Sequence, residues 1–68
     1  MSADNEKDYI QLDQFLKLIS VVASGGEAKH LIREGLILVN GEVETRRGRK
    51  LRCGDLVEFE GQKFTVSL

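Results

Sequence analysis

The chain has 68 residues, of which 41% are hydrophobic and 31% charged, and a formal net charge of −1. This length predicts one domain with a small core, and the composition is typical of a folded globular chain. No apolar run approaches the ~18 residues of a membrane span, and the acidic N-terminus does not resemble a signal peptide. One cysteine cannot form an internal disulfide, which fits a reducing compartment, so we expect a cytoplasmic protein.

Charge is distributed unevenly along the chain. Residues 29–52 hold seven of the ten Lys and Arg residues against three acids, whereas residues 1–13 hold four acids and one lysine. Because screening at physiological salt acts over ~8 Å, a net charge near zero can conceal a basic face. We interpret residues 1–8 as a flexible acidic tail and residues 9–68 as a single domain.

The first predicted element is an amphipathic helix over residues 12–20. Apolar residues recur at i, i+3, i+4 and i+7 from Leu12 to Ile19, which places them on one face. Lys17 lies off this apolar stripe. Tyr9-Ile10, just before it, would form a short strand or a lead-in to the helix.

The second predicted helix covers residues 25–34. Ser24 followed three residues later by Glu27 is a capping-box pattern, which marks a helix start. Gly35 can adopt the left-handed conformation that ends many helices. The face of this helix away from the core would carry Gly26, Lys29, His30 and Arg33.

From Leu36 onward the apolar period changes to two, which indicates strands. Asn40-Gly41 is a favoured pair for a two-residue type I′ hairpin turn. After the turn we expect Val43 to return toward the core, with Glu42 and Glu44 facing solvent.

Two further turns complete the predicted sheet. Cys53-Gly54-Asp55 leads into a strand over residues 56–60, and Gly61-Gln62 leads into a last strand over residues 64–68. The predicted fold is therefore α+β, with two packed N-terminal helices followed by a small antiparallel β-sheet.

The start of the second helix is the first candidate binding site. Its N–H groups have no partner within the helix, and Gly25 and Gly26 would let an anion approach the backbone, as phosphates do at helix N-termini. The alternative is a tight corner in which the two glycines only allow helices to pack. Cationic side chains that could flank the site are Lys17, Lys29 and Arg33.

The second candidate site is the basic run at residues 46–52, which contains no acid. Like charges this close repel one another, and a polyanion relieves that repulsion. Arginine predominates, and its planar guanidinium suits bidentate phosphate contacts. The alternative is an ordinary solvated loop. The proposed phosphate contacts are Arg46, Arg47, Arg49 and Lys50.

The sequence contains no recognisable set of catalytic or cofactor-binding residues. His30 is the only histidine and Cys53 the only cysteine, so no metal-ligand cluster is predicted. The carboxylates show no acid–base pairing. We therefore expect a non-enzymatic protein with no metal, no cofactor and no small-molecule substrate.

The aromatic residues narrow the class of nucleic acid. Phe15, Phe59 and Phe64 fall at core positions, which leaves Tyr9 as the one ring expected to be exposed. Single-strand binders commonly stack bases on aromatic platforms. Without a platform, the chain would recognise the shape and phosphates of a folded RNA.

The run SGGEAKHLIREGLILVNGEVETRRGRKLRCGD, residues 24–55, resembles the alpha-L RNA-binding motif, or S-four domain, in its short stand-alone bacterial form. Cys53 stands where the family often has proline, which should loosen that turn. The resemblance implies binding of structured RNA, with ribosomal and transfer RNA as candidates and the ribosome or RNA-processing proteins as partners. The contacts it implies are Lys17, Gly25, Gly26, Lys29, Arg33, Arg46, Arg47, Arg49 and Lys50.

Two other functions fit part of the pattern. The two helices could form a helix-turn-helix unit that places the second helix in the major groove of DNA, although Lys29 and Arg33 come without an Asn or Gln to read adenine. The chain could also be a protein-interaction adaptor that uses Leu38 and the edge of the sheet.

Overall fold

The structure is a computed structural model and describes residues 8–68. Of the predicted acidic tail, only Asp8 lies within the described residues. The α+β class is confirmed, and of the two alternatives for Tyr9-Ile10 the short strand is the one observed, ahead of the two helices. The elements are β1 (Tyr9–Gln11), α1 (Leu12–Leu18), α2 (Gly25–Arg33), β2 (Ile37–Val39), β3 (Glu42–Val43), β4 (Lys50–Arg52), β5 (Leu56–Phe59) and β6 (Gln62–Thr65).

Helix α1 is shorter than predicted because the chain turns sharply after Leu18. Ser20 adopts a left-handed conformation with a φ of 64°. Its N–H donates to the Lys17 carbonyl at 3.1 Å, and the Val21 N–H donates to the Leu16 carbonyl at 3.0 Å. These two bonds form a Schellman motif, with serine at the position that glycine usually occupies.

Helix α2 begins at the predicted N-cap, Ser24, although Glu27 reaches the N–H of Ala23 and not that of Ser24 as in a standard capping box. The Ser24 hydroxyl accepts a hydrogen bond from the Glu27 N–H at 3.3 Å. The Glu27 carboxylate in turn accepts one from the Ala23 N–H at 2.6 Å. Gly35 follows the helix with a φ of 78°, so a residue that tolerates the left-handed region stands where the chain leaves the helix.

The strands form two antiparallel sheets instead of the single sheet predicted. The larger has the order β3-β2-β5-β6, and the smaller pairs β1 with β4. In the smaller sheet Tyr9 lies opposite Arg52 and Gln11 opposite Lys50. The basic run, predicted as a loop, therefore ends in a strand.

The hairpin between β2 and β3 corrects the expected orientation of its second strand. Asn40 and Gly41 have φ values of 53° and 86°, as a type I′ turn requires. A two-residue turn pairs Leu38 with Val43, so both side chains lie on the outer face and Val43 is 57% exposed. Glu44 follows on the inner face, where it is only 6% exposed.

The core lies between the two helices and the inner face of the larger sheet, and Leu51 of β4 is also buried in it. Phe15 is buried, whereas Phe59 and Phe64 are only half-buried at the margin. All three rings thus pack in or against the core, as expected, whereas Tyr9, the ring expected to be exposed, is itself half-buried. Neither helix within residues 8–68 is long and apolar enough to cross a bilayer.

Candidate nucleic-acid interface

A polar cleft runs along the exposed side of α2. Its lining includes Gly26, Lys29 and Arg33, three of the predicted contact residues, together with His30 and Glu34. Positions three and four apart lie on one face of a helix, so the spacing of these residues in the sequence accounts for their convergence. Two cations against one carboxylate leave the cleft with a charge of about +1, counting side chains at neutral pH.

The two glycines that open α2 are not required by internal packing. Within the described residues, a Cβ atom built on Gly25 would meet nothing within 4 Å, and one on Gly26 would meet only the Ser24 hydroxyl at 3.8 Å. The alternative in which these glycines serve helix packing therefore loses its basis. The backbone at the start of α2 is open to a ligand from outside, as a helix N-terminal anion site requires.

The basic loop is anchored to the start of α1 by its own backbone. The Leu12 N–H donates to the Arg49 carbonyl at 2.8 Å, and the Asp13 N–H donates to the Arg47 carbonyl at 3.0 Å. The side chain at the N-cap of α1, Gln11, makes no capping hydrogen bond. The loop carbonyls thus satisfy helix donors that would otherwise lack protein partners, and this fixes the loop against α1.

Glu44 binds two of the arginines in this loop. Its carboxylate accepts hydrogen bonds from the backbone N–H, Nε and Nη2 of Arg46 at 3.0, 2.9 and 3.1 Å. It also accepts one from Nη1 of Arg49 at 2.8 Å. The hydrogen bonds from Arg46 outweigh the opposing effect of burial and lower the pKa of Glu44 from 4.5 to about 2. The same interaction raises the pKa of Arg46.

This ion pairing corrects the electrostatic argument made from the sequence. The run at residues 46–52 contains no acid, but the neighbouring Glu44 neutralises one of its charges. Arg46, Arg49 and Glu44 together retain about +1. The Arg46 side chain is still 73% exposed, and a guanidinium carries five N–H donors, so its outer edge can serve a second acceptor.

The other predicted residues fall into separate groups. Lys50 lines a second cleft with Arg46, Gly48 and Arg49, and its Nζ lies 4.9 Å from the centre of the Tyr9 ring. Arg47 is exposed and forms no ion pair within residues 8–68. Lys17 is also exposed and lies in the last turn of α1, where a cation interacts favourably with the helix dipole. It lines neither cleft.

Sequence reasoning missed Glu44 and Tyr9 as parts of this surface. Counting outward from the Asn40-Gly41 turn on both strands would have placed Glu44 opposite Ile37, on the inner face. The Ile37 carbonyl accepts the Glu44 N–H at 3.0 Å. The neighbourhood of Tyr9 and Lys50 depends on a strand pairing between distant parts of the chain. Local patterns do not reveal such a pairing.

The fold and these surfaces define a small α+β domain that presents cationic side chains from one helix and from a loop anchored to the other. The family model described as the S4 domain matches residues 3–67. The chain belongs to the S4 domain family, which confirms the resemblance seen in the sequence.

Three relatives of similar length match most of this chain. "Probable ribosome maturation protein RlbA" of Bacillus subtilis (strain 168) is 54% identical over 56 residues, covering 82% of this chain and 79% of the relative. "Putative RNA-binding protein YbcJ" of Escherichia coli (strain K12) is 40% identical over 58 residues, covering 85% and 83%. A YbcJ protein of Shigella flexneri matches to the same extent.

Proposed function

We propose that this chain binds structured RNA, chiefly through backbone phosphates, using α2 and the loop at residues 46–50. The S4 domain family and the relatives named for RNA binding and ribosome maturation support this function. They also favour a ribosomal RNA target over a transfer RNA, and a cytoplasmic location beside ribosomes. The protein acts as a binding module, without catalysis or a cofactor.

The polar cleft on α2 is the observation that carries the proposal. Gly26 exposes the backbone at the positive end of the helix, and Lys29 and Arg33 stand beside it. Backbone N–H groups and the helix dipole favour an anion at this position. Lys29 and Arg33 would then hold the next phosphates along the strand.

The loop provides the second group of contacts. Glu44 orients Arg46 and Arg49 from behind, so their outer N–H groups are held in place before RNA arrives. Such preorganisation lowers the entropy cost of ordering long side chains on binding. Arg47 and Lys50 contribute positive charge on the same loop and its adjoining strand.

Salt dependence of binding tests the proposal. A fluorescently labelled RNA hairpin would be titrated with the protein over a range of salt concentrations, and affinity measured by anisotropy. We expect about 4–6 phosphate contacts, each contributing roughly −0.7 to −0.9 to the slope of log affinity against log salt. A duplex DNA of the same length serves as competitor. Salt-independent binding, or preference for the duplex DNA, would contradict the proposal.

A further inference from the structure

An apolar groove lies on the other side of α2, between that helix, the corner that precedes it and the end of β5. Its volume is about 520 Å³, within the range of roughly 300–1,000 Å³ that is usual for small-molecule sites. The apolar part of its wall is formed by Val21, Val22, Leu31 and Phe59. Val21, Leu31 and Phe59 are half-buried and Val22 is buried, so three of the four retain accessible apolar surface.

This groove and the polar cleft on α2 are continuous. Gly26 and His30 line both, and these residues are four apart, which places them one above the other on the helix. Glu27 lines the apolar groove alone, whereas Lys29 and Arg33 line the polar cleft alone. A ligand that bridges the two would meet apolar surface and a carboxylate on one side of α2, and cations on the other.

We propose that the apolar groove receives an unstacked base of the bound RNA, whose own phosphate lies on the polar cleft. The inference rests on the proposed function and names a subsite for it. A nucleotide has the required polarity, because its base has an apolar face and its phosphate is an anion. The Phe59 ring offers a stacking surface, as aromatic side chains do for splayed-out RNA bases.

The charged residues set the direction in which the nucleotide binds. The Glu27 carboxylate repels a phosphate from the apolar groove, and Lys29 and Arg33 attract it to the other side. Glu27 and His30 also line the groove, and both carry polar atoms that can pair with the hydrogen-bonding edge of a base. Gly26, between the two sites, leaves room for the nucleotide's backbone because it has no side chain, and a Cβ atom there would meet only the Ser24 hydroxyl at 3.8 Å.

The first test requires no change to the protein. Two labelled RNA hairpins would be compared, one with a single bulged adenosine and the other with an abasic nucleotide at the same position. Base–aromatic stacking is worth ~1–3 kcal/mol, so we expect the bulged adenosine to bind at least about fivefold more tightly. Equal affinity for the two hairpins would overturn the inference that a base occupies the groove.

A variant of the aromatic ring provides the second test. Phe59→Leu keeps an apolar side chain but removes the stacking surface, so the preference for adenosine over the abasic hairpin should disappear. Phe64→Leu is the matched control, because Phe64 is also half-buried against the core and does not line the groove. Retention of the full preference in Phe59→Leu would also overturn the inference.

The salt slope separates failure of this inference from failure of the proposed function. A stacked base adds little salt dependence, since counterion release comes from phosphate contacts. Phe59→Leu should therefore leave the slope unchanged while lowering the affinity for the bulged hairpin. If wild-type protein shows the expected slope of log affinity against log salt but binds the two hairpins equally, only the assignment of the groove is wrong. If it shows no such slope, the proposed function itself fails.

Discussion

At the scale of single residues, Glu44 has the largest influence on the basic loop. A buried carboxylate is costly unless hydrogen-bond donors surround it, and Arg46 and Arg49 supply four such bonds. The arrangement reduces the positive charge of the loop but fixes the positions of two guanidinium groups that would otherwise repel each other. The loop therefore gives up some electrostatic attraction for a defined geometry.

Glu44→Gln should lower the free energy of unfolding at neutral pH by roughly 1.5–3 kcal/mol, the usual value of hydrogen bonds to a charged group. The pKa of Glu44 is lowered from 4.5 to about 2 in the folded protein. Its stabilising contribution is therefore complete above pH 4.5 and is lost as the pH falls toward 2. Urea unfolding at a series of pH values should show wild type and variant converging in acid.

Glu42→Gln is the matched control for this change, because Glu42 is an exposed carboxylate only two residues away. Its substitution should alter stability by less than about 0.5 kcal/mol, as is usual for surface sites. A wild-type advantage over Glu44→Gln that persisted at the acid end of the range would contradict the role assigned to the carboxylate.

Ser20→Gly should stabilise the protein. Ser20 has a φ of 64° at the end of α1, a conformation that costs an L-residue roughly 1–2 kcal/mol and glycine very little. After allowing for the greater freedom of glycine in the unfolded chain, we expect a gain of roughly 0.5–1 kcal/mol. Thermal unfolding would show it, since about 1 kcal/mol shifts the midpoint by ~4–8 °C in a domain of this size.

Ser67→Gly is a suitable control for that gain. Ser67 is also exposed, but it does not have a positive φ. Glycine there only adds freedom to the unfolded chain, so the substitution should be neutral or slightly destabilising. A similar gain at both positions would show that the left-handed conformation is not the cause.

At the scale of elements, a helix or strand could be predicted from the sequence when the residues that define it are close together in the chain. Helix α2 was predicted almost to the residue because Ser24, Glu27 and Gly35 act within a few positions of each other. Strand β4 was missed because it depends on pairing with β1, some forty residues earlier in the chain. The convergence of Gly26, Lys29 and Arg33 followed from helical spacing, whereas the apolar groove required the end of β5 to lie beside α2.

Helix α2 should contribute a measurable share of the salt dependence of RNA binding. Replacing Lys29 and Arg33 together by Gln removes two cations from the polar cleft. If each holds one phosphate, the slope of log affinity against log salt should become less steep by about 1.4–1.8. Both side chains are exposed, so the fold should remain intact, which circular dichroism would verify.

Lys63→Gln is the control for the loss of positive charge. Lys63 is exposed on β6, where it pairs with Glu58 across the strands, and it belongs to neither cationic cleft. Its substitution should leave the slope unchanged. An equal effect at Lys63 and at Lys29 would mean that RNA responds only to total charge, without a defined contact on α2.

At the scale of the whole molecule, a net charge of −1 coexists with a strongly basic segment. Acidic residues flank the basic run at residues 46–52 in the sequence. Glu44, before the run, accepts hydrogen bonds from its arginines, and Asp55, after it, accepts one from the Arg52 N–H. The result is a small domain whose positive potential is local. RNA affinity should therefore depend on which carboxylates lie near the basic surface, and on salt, more than on the total charge.

Neutralising single acids at different places in the molecule tests this dependence. Asp8 is exposed and precedes Tyr9, whose ring contacts Lys50, whereas Glu58 lies in β5 of the larger sheet, paired with Leu38 and Lys63. The Debye length is ~8 Å at physiological salt and ~30 Å at 0.01 M, and the longest dimension of the molecule is 37 Å.

At physiological salt, Asp8→Asn should raise RNA affinity by about 1.4-fold, because one charge at roughly 8 Å in water is worth about 0.5 kcal/mol and screening over one Debye length reduces this to about a third. Glu58→Gln should change the affinity little. At 0.01 M salt the field of either carboxylate reaches across most of the molecule, so both variants should bind RNA more tightly than wild type. Anisotropy titrations of the same RNA hairpin at the two salt concentrations would measure this. Equal effects of the two substitutions at physiological salt would contradict a local basic surface beside β1, because screened charges act only on what lies near them.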